Sequence, residues 1–285
     1  MDSLRDRCAI VVGLDGVSLS IFKALISKGV MPYLHNLSYR ALESSAKVMV
    51  PYTAPSWTSI ATGVNPGKHN VYDFVKPCVD GSIRMISVSD VMYPRINEIL
   101  SFNKVPSIIS TVPYTYPPTP KYEENIVIGS WTRSKVMIWP HDVYLKLRNE
   151  IPAIPALNAK SIGEFVERIH QHLEHKLSIE LSLAEKYPWR LFFIMIPHTD
   201  WIFHYAYDLV LGGRKDSHIL KIFELIDRFV RRIVELSPGE PLIILVSDHG
   251  FTEASISINI NVLLEKVGLL SLISDKNIFK NITLE

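Results

Sequence analysis

Residues 9–16 read AIVVGLDG, an unbroken apolar run that stops at Gly13, Asp15 and Gly16. Continuous apolar character without alternation marks a strand buried on both faces, and such strands belong to parallel sheets covered by helices. Four more segments share the pattern: KVMVPY at 47–52, VPSIISTVP at 105–113, RLFFIMIP at 190–197 and PLIILVSDHG at 241–250. The chain is therefore expected to be α/β, with a mostly parallel central sheet flanked by helices. Open sheets of this kind bind ligands beyond the carboxyl ends of their strands. Three of the runs end in, or lead directly to, Asp or His, so those residues are the first candidates for chemistry.

Helical patterns lie between the runs. Ser161 with Glu164 has capping-box spacing, and Phe165, Val166, Ile169, Leu173, Leu177 and Leu181 follow as one apolar stripe, which predicts a helix over 161–186. A second helix is predicted over about 217–236, beginning after Asp216 and stopping at Ser237-Pro238-Gly239. Residues 75–160 are richer in proline and less periodic, and are expected to form a small cap insertion within a single domain spanning 1–285. Lys plus Arg number 30 against 29 Asp plus Glu, so there is no electrostatic reason to expect a nucleic acid polymer or an anionic membrane as partner. A small substrate is expected. Cys8 and Cys78 suggest neither a disulfide framework nor a Cys-based zinc site, and the opening MDSLRDRCAI reads as neither signal peptide nor membrane span; a cytoplasmic location is expected.

Asp15 follows the first strand, where a carboxylate is well placed to hold a divalent cation; the plainer alternative is a cap on a turn. In PYTAPSWTSIATGVNPGKH, Thr53 precedes Pro55 in an expected first helical turn and Gly63 closes the short helix. A hydroxyl there meets free amides and the positive end of the helix dipole, which favour an alkoxide and a bound phosphate. Simple capping by Thr53 is the alternative. Asp200 and His204 stand four apart in PHTDWIFHYAYD, on one helical face, a pair suited to zinc, manganese or iron or else a surface ion pair. Asp248 and His249 end the fifth run, and Gly250 supplies the break that lets both turn to one side.

Together, the strand ending in LDG, the TAPSWTSIATGVNPGKH stretch, the Asp200/His204 pair and SDHGF resemble the alkaline phosphatase superfamily, in particular its type I phosphodiesterase and nucleotide pyrophosphatase branch and related archaeal phosphohydrolases. VPYTYPP and IVIGSWTRS look like segments of the same group. The resemblance implies an alkaline-phosphatase-like core and two divalent metal ions, zinc above manganese or iron. Asp15, Asp248, His249 and the Thr53 hydroxyl would hold one ion, and Asp200 with His204 the other. Thr53 would be the nucleophile of a phosphoric ester hydrolase acting on a small phosphate ester or nucleotide. Ser56 falls where that branch often has an Asn that donates to a phosphate oxygen. The family takes a further metal-binding His beyond SDHGF, and no His follows His249 here. Either the chain is shortened, another ligand substitutes, or the second site is weak. A non-catalytic relative that keeps the fold is the competing expectation, with a phosphomutase or phosphomonoesterase less favoured. TAPSW puts Thr53 and Trp57 where a sulfatase has the Cys or Ser and the Arg of its CxPxR-like motif, which disfavours that activity.

His69 is read as a structural residue closing a turn, and His170, His172 and His175 as a solvated helix face. His198 fits no pattern. Trp57, Trp131, Trp139, Trp189 and Trp201 are read as packing residues, with Trp57 and Trp201 near the candidate site.

Overall fold

The structure, a computed structural model, describes residues 7–129, 136–212 and 218–271. Its elements are β1 (Cys8–Leu14), α1 (Leu19–Ser27), α2 (Pro32–Ser38), α3 (Thr53–Thr62), α4 (Pro66–His69), β2 (Val75–Pro77), β3 (Ile83–Met85), α5 (Ile96–Phe102), β4 (Ser107–Ser110), β5 (Asn125–Gly129), β6 (Met137–Trp139), α6 (His141–Leu147), α7 (Ile162–Lys186), β7 (Leu191–Ile196), α8 (His198–Gly212), α9 (Lys221–Glu235), β8 (Pro241–Val246) and α10 (Ile260–Lys266). Six strands form the central sheet in the order β6-β5-β4-β7-β1-β8, and every neighbouring pair is parallel except β5 with β6.

The central strands behave as an unbroken apolar run should. Ile10 and Val12 of β1 and Phe192, Ile194 and Ile196 of β7 are fully buried, with Val12 in register with Ile194 and Leu245. Leu25, Ile169, Leu173, Ile222, Ile226 and Val230 of α1, α7 and α9 join them in the main core. Trp57 and Ala61 of α3 pack the other face against Ile109, Val127, Phe193 and Met195. The β8 side differs: among the described residues it is an edge, and Leu242 is 64% exposed beside a broad apolar groove that also includes Val11, Ile244 and Phe193. Among the described residues no helix is long and apolar enough to cross a membrane.

Four of the five apolar runs contain strands. The fifth, 47–52, does not: it forms a turn, with Met49 73% exposed. Pro51 has no N–H for a ladder, and the Val50 carbonyl accepts from the Tyr52 N–H at 2.8 Å and the Ser56 hydroxyl at 2.9 Å, so the backbone is committed to the entry into α3.

The helix predicted over 161–186 is α7, whose N-cap Ser161 accepts from the Glu164 N–H at 3.2 Å; the Glu164 carboxylate reaches back to the Lys160 N–H at 3.0 Å instead of the cap residue's own. The second helix is α9, preceded by a short turn from His218; Asp216, Trp131 and the SWTRS end of IVIGSWTRS lie outside the described residues. Within 75–160, β4, β5 and β6 pair in the central sheet, while β2 and β3 form a separate antiparallel hairpin. Asp90 anchors that hairpin by accepting from Lys76, Arg84 and Ser87, and these donors hold its carboxyl well below the usual carboxylate range.

Candidate metal centre

The site gathers where β1, β7 and β8 end. Asp15, one residue past β1, is 1% exposed, and Asp248, two residues past β8, is equally buried. Adjacent residues of an extended strand would point apart; β8 stops at Val246, so Asp248 and His249 both turn toward Asp15. Among the described residues these three form one group able to hold an ion, with ligand atoms all within 4.8 Å of one another. His249 Nε2 lies 3.4 Å from Asp15 Oδ1 and 3.3 Å from Asp248 Oδ2. Donors each about 2.1 Å from one tetrahedral ion stand about 3.4 Å apart, so the spacing suits a single divalent cation.

Second contacts fix the orientation of each carboxylate. Trp57 Nε1–H donates to Asp15 Oδ2 at 3.4 Å, and the Gly16 N–H donates to Asp248 Oδ1 at 3.3 Å. The other two oxygens, Asp15 Oδ1 and Asp248 Oδ2, are buried and have no hydrogen-bond partner among the described residues. Burial, and then the neighbouring Asp248 and Asp200 carboxylates, push Asp15 well above its ordinary value. Burial also raises Asp248 and Asp200, each opposed in part by His249. A cation bound by the orphaned oxygens would remove this penalty, and the donor set of two carboxylates and one imidazole fits zinc, manganese or iron.

Glycine makes two of these approaches possible. A Cβ on Gly13 would sit 2.3 Å from the Trp57 ring, so only glycine lets the indole lie over β1 and reach Asp15. Gly16 turns with φ +73°, and a Cβ there would meet Phe251 at 2.8 Å.

Thr53 opens α3, whose N-cap is Tyr52 and whose C-cap is Gly63 at φ 70°. It makes no side-chain cap; its hydroxyl lies 3.2 Å from His249 Nε2. Ser56, one turn on, directs its hydroxyl proton to the Val50 carbonyl, not into the site. Asp200 and His204 share one face of α8, with Oδ2 and Nε2 3.5 Å apart, and Asp200 Oδ1 is 4.0 Å from His249 Nε2. His204 is the open member of the site, 62% exposed at its side chain and edge-on to Phe251. Thr199 fastens the first turn of α8 to β1 by donating to the Asp15 carbonyl at 2.6 Å.

His69 is fully buried. Its Nδ1 accepts from the Val71 N–H, and its Nε2 lies 2.9 Å from the Ser59 hydroxyl, which ties the α4 turn to α3. The solvated-face reading fails for His172. Only His175 of the three is exposed, whereas His172 turns inward, with Nδ1 2.7 Å from Nε2 of the fully buried His198. Burial, with Lys176 and His175 adding to it, lowers His172 to about 4. His172 and Lys176 lie on the same face as Ile169 and Leu173, a clue that an apolar count over α7 passes over.

An acidic/His cluster beside Thr53, on the carboxyl rim of a mostly parallel sheet, defines an α/β protein with a candidate metal centre. The profile of the type I phosphodiesterase / nucleotide pyrophosphatase family matches residues 9–285, and the chain belongs to that family. No curated protein matches it by sequence. Among solved structures it is similar to phosphonoacetate hydrolase from Sinorhizobium meliloti. The complex with phosphonoformate superposes with a TM-score of 0.70 at 18% identity over 92% of this chain and 62% of that one. For the complex with phosphonoacetate the TM-score is 0.70 at 17% identity over 93% and 62%. The chain thus spans less than two thirds of the length of these relatives, and at this identity the likeness is one of fold.

Proposed function

We propose that this protein is a metal-dependent phosphoric ester hydrolase of the phosphodiesterase/nucleotide pyrophosphatase type, with Thr53 as nucleophile. The observation that carries the reading is the Thr53 hydroxyl at the N-terminus of α3, 3.2 Å from the imidazole of the Asp15/Asp248/His249 cluster. Asp15, Asp248 and His249 would hold one divalent ion, zinc first with manganese or iron as alternatives, and Asp200 with His204 a second. Bound ions supply charge that lowers the pKa of a nearby hydroxyl and offsets the charge on phosphoryl oxygens.

The first amides of α3 receive the phosphoryl oxygens, where the helix dipole favours negative charge. The Thr53 oxygen bonds to phosphorus as the ester P–O bond breaks, and its proton leaves with the alcohol. Water then cleaves the Thr53–phosphate bond and restores the hydroxyl. The substrate is a small phosphate ester or nucleotide. Two free thiols, Cys8 and Cys78, accord with a reducing, cytoplasmic setting.

One specific observation favours a second reading, a catalytically impaired relative: the described residues offer one three-ligand cluster, and Asp200 with His204 is only a pair. Metal analysis, with turnover of bis(p-nitrophenyl) phosphate, p-nitrophenyl phosphate and phosphonoacetate, separates the two. Two equivalents of metal, and a loss on the order of a thousandfold or more in Thr53→Ala, support the hydrolase. One equivalent or less and no turnover favours the impaired relative, while full turnover in Thr53→Ala removes Thr53 from the chemistry.

A further inference from the structure

Behind the first turn of α8, on the side away from Asp200, lies a cavity of about 60 Å³. At about 10–15 Å³ for each small group it holds about four to six non-hydrogen atoms. Its body is apolar, walled by Ile128, Ile138, Ile151, Ile154, Ile179 and Trp201. Its polar end is formed by Thr111, His172, Lys176, Glu180 and His198.

That polar end is incompletely satisfied. Lys176 Nζ donates to Glu180 Oε1 at 2.8 Å and to Ser110 Oγ at 3.1 Å, and the Ser110 hydroxyl also donates to Glu180 Oε1. Glu180 is 1% exposed, yet its Oε2 has no partner among the described residues, and neither has Nδ1 of the fully buried His198. Native proteins pair such atoms almost without exception, so those left over call for a ligand or ordered water. Thr111 adds a separate sign. It is β-branched yet held at φ 63°, a strained conformation that collects at ligand sites. The cavity also sits beyond the carboxyl ends of β4 and β5, on the rim where parallel sheets take ligands.

We infer that this cavity is a binding site for a small uncharged molecule with an apolar body and a head that both donates and accepts hydrogen bonds, such as a primary amide or an alcohol. The Lys176 and Glu180 charges offset each other, which leaves no net charge for an ionic head to neutralise. The donor of the head meets Glu180 Oε2, and its acceptor meets the third N–H of Lys176. The site is separate from the metal centre: Pro197, His198 and Trp201 line the cavity, while Asp200, about 200° around the helix from His198, faces His249. The inference is independent of the proposed hydrolase activity.

Isobutyramide, with isobutyrate as its charged counterpart, is the probe, titrated into the full chain and followed by saturation-transfer NMR. Saturable binding of the amide is expected with a Kd on the order of 1 mM, ordinary for so small a ligand, and isobutyrate should bind at least about tenfold more weakly. Ile154→Trp fills the cavity from a loop and Ile138→Phe from the sheet; each should weaken amide binding about tenfold or more while circular dichroism stays unchanged. If one variant unfolds, the other carries the test. Absence of saturable binding, equal binding of amide and carboxylate, or undiminished binding in a folded cavity-filled variant would overturn the inference.

Discussion

The Thr53 hydroxyl oxygen stands 3.2 Å from His249 Nε2, across 196 residues of chain. The contact joins the start of α3 to the loop after β8, two elements with no sequence proximity. Phe251 holds that loop in place: it packs on Phe203 and His204, and its carbonyl accepts from the Tyr207 hydroxyl at 3.2 Å. The cluster is thereby braced by α8 as well as by the sheet.

Cation binding should stabilise the fold, because it satisfies Asp15 Oδ1 and Asp248 Oδ2 at once. At a concentration about 100 times its Kd, a ligand of the folded state adds about 2.7 kcal/mol, which for a chain of this size raises the Tm by about 5 °C or more. Calorimetry with added zinc or manganese should show this rise in the native protein. In Asp248→Asn and His249→Ala it should vanish or fall below about 2 °C; an undiminished rise would place the ion elsewhere.

Gly13→Ala tests the support beneath Asp15. The new methyl would lie 2.3 Å from the Trp57 ring, and the ring is fully buried with no room to retreat. A cost of about 1–3 kcal/mol in urea unfolding is expected from overpacking. The displaced indole should also weaken cation binding, since Trp57 Nε1–H no longer orients Asp15. Wild-type stability in this variant would mean that the indole has freedom the packing denies it.

Asp15, Asp248 and His249 were legible because each directly follows an apolar run, and a strand end in a parallel sheet has one rim to face. Helical spacing put Asp200 and His204 on one face, as observed, but left an ion pair as open as a metal pair. The misreading at 47–52 has a local cause: apolar content signals a strand, but Pro51 and the turn it begins decide the backbone. Short strands such as β6, MIW, carry too few residues for any period to register. The His172–His198 contact was out of reach for another reason. It joins α7 to α8 across 26 residues, and although helical spacing puts His172 on the face of Ile169 and Leu173, nothing in the sequence names the partner it meets there.

Asp227 should prove a tertiary helix cap. It is 4% exposed on α9, and its two oxygens accept from the Tyr33 N–H at 3.0 Å and the Leu34 N–H at 2.8 Å, at the start of α2. The N-cap of α2, Met31, has no side-chain oxygen to do this. Asp227→Ala leaves two helix-end amides without partners and should lower the free energy of urea unfolding by about 2 kcal/mol or more. A change under about 0.5 kcal/mol would mean water replaces the carboxylate freely.

The pH dependence of the metal-free protein follows from the crowding of carboxylates. Burial first, then Asp248 and Asp200, raise Asp15 in the folded state above its ordinary 3.8. Between the unfolded and folded values the native state therefore holds more protons, so stability falls as pH rises through that window and levels off above it. Asp248 and Asp200 shift the same way and deepen the loss. Asp15→Asn removes one titrating group and its repulsion. In chelator, from about pH 4 to about pH 8, the urea midpoint of the native protein should thus decline relative to that of Asp15→Asn. Saturating manganese should reverse the order, because the ion binds the deprotonated carboxylates and is favoured by rising pH. Parallel curves for the two proteins in chelator would show that Asp15 does not carry the strain assigned to it.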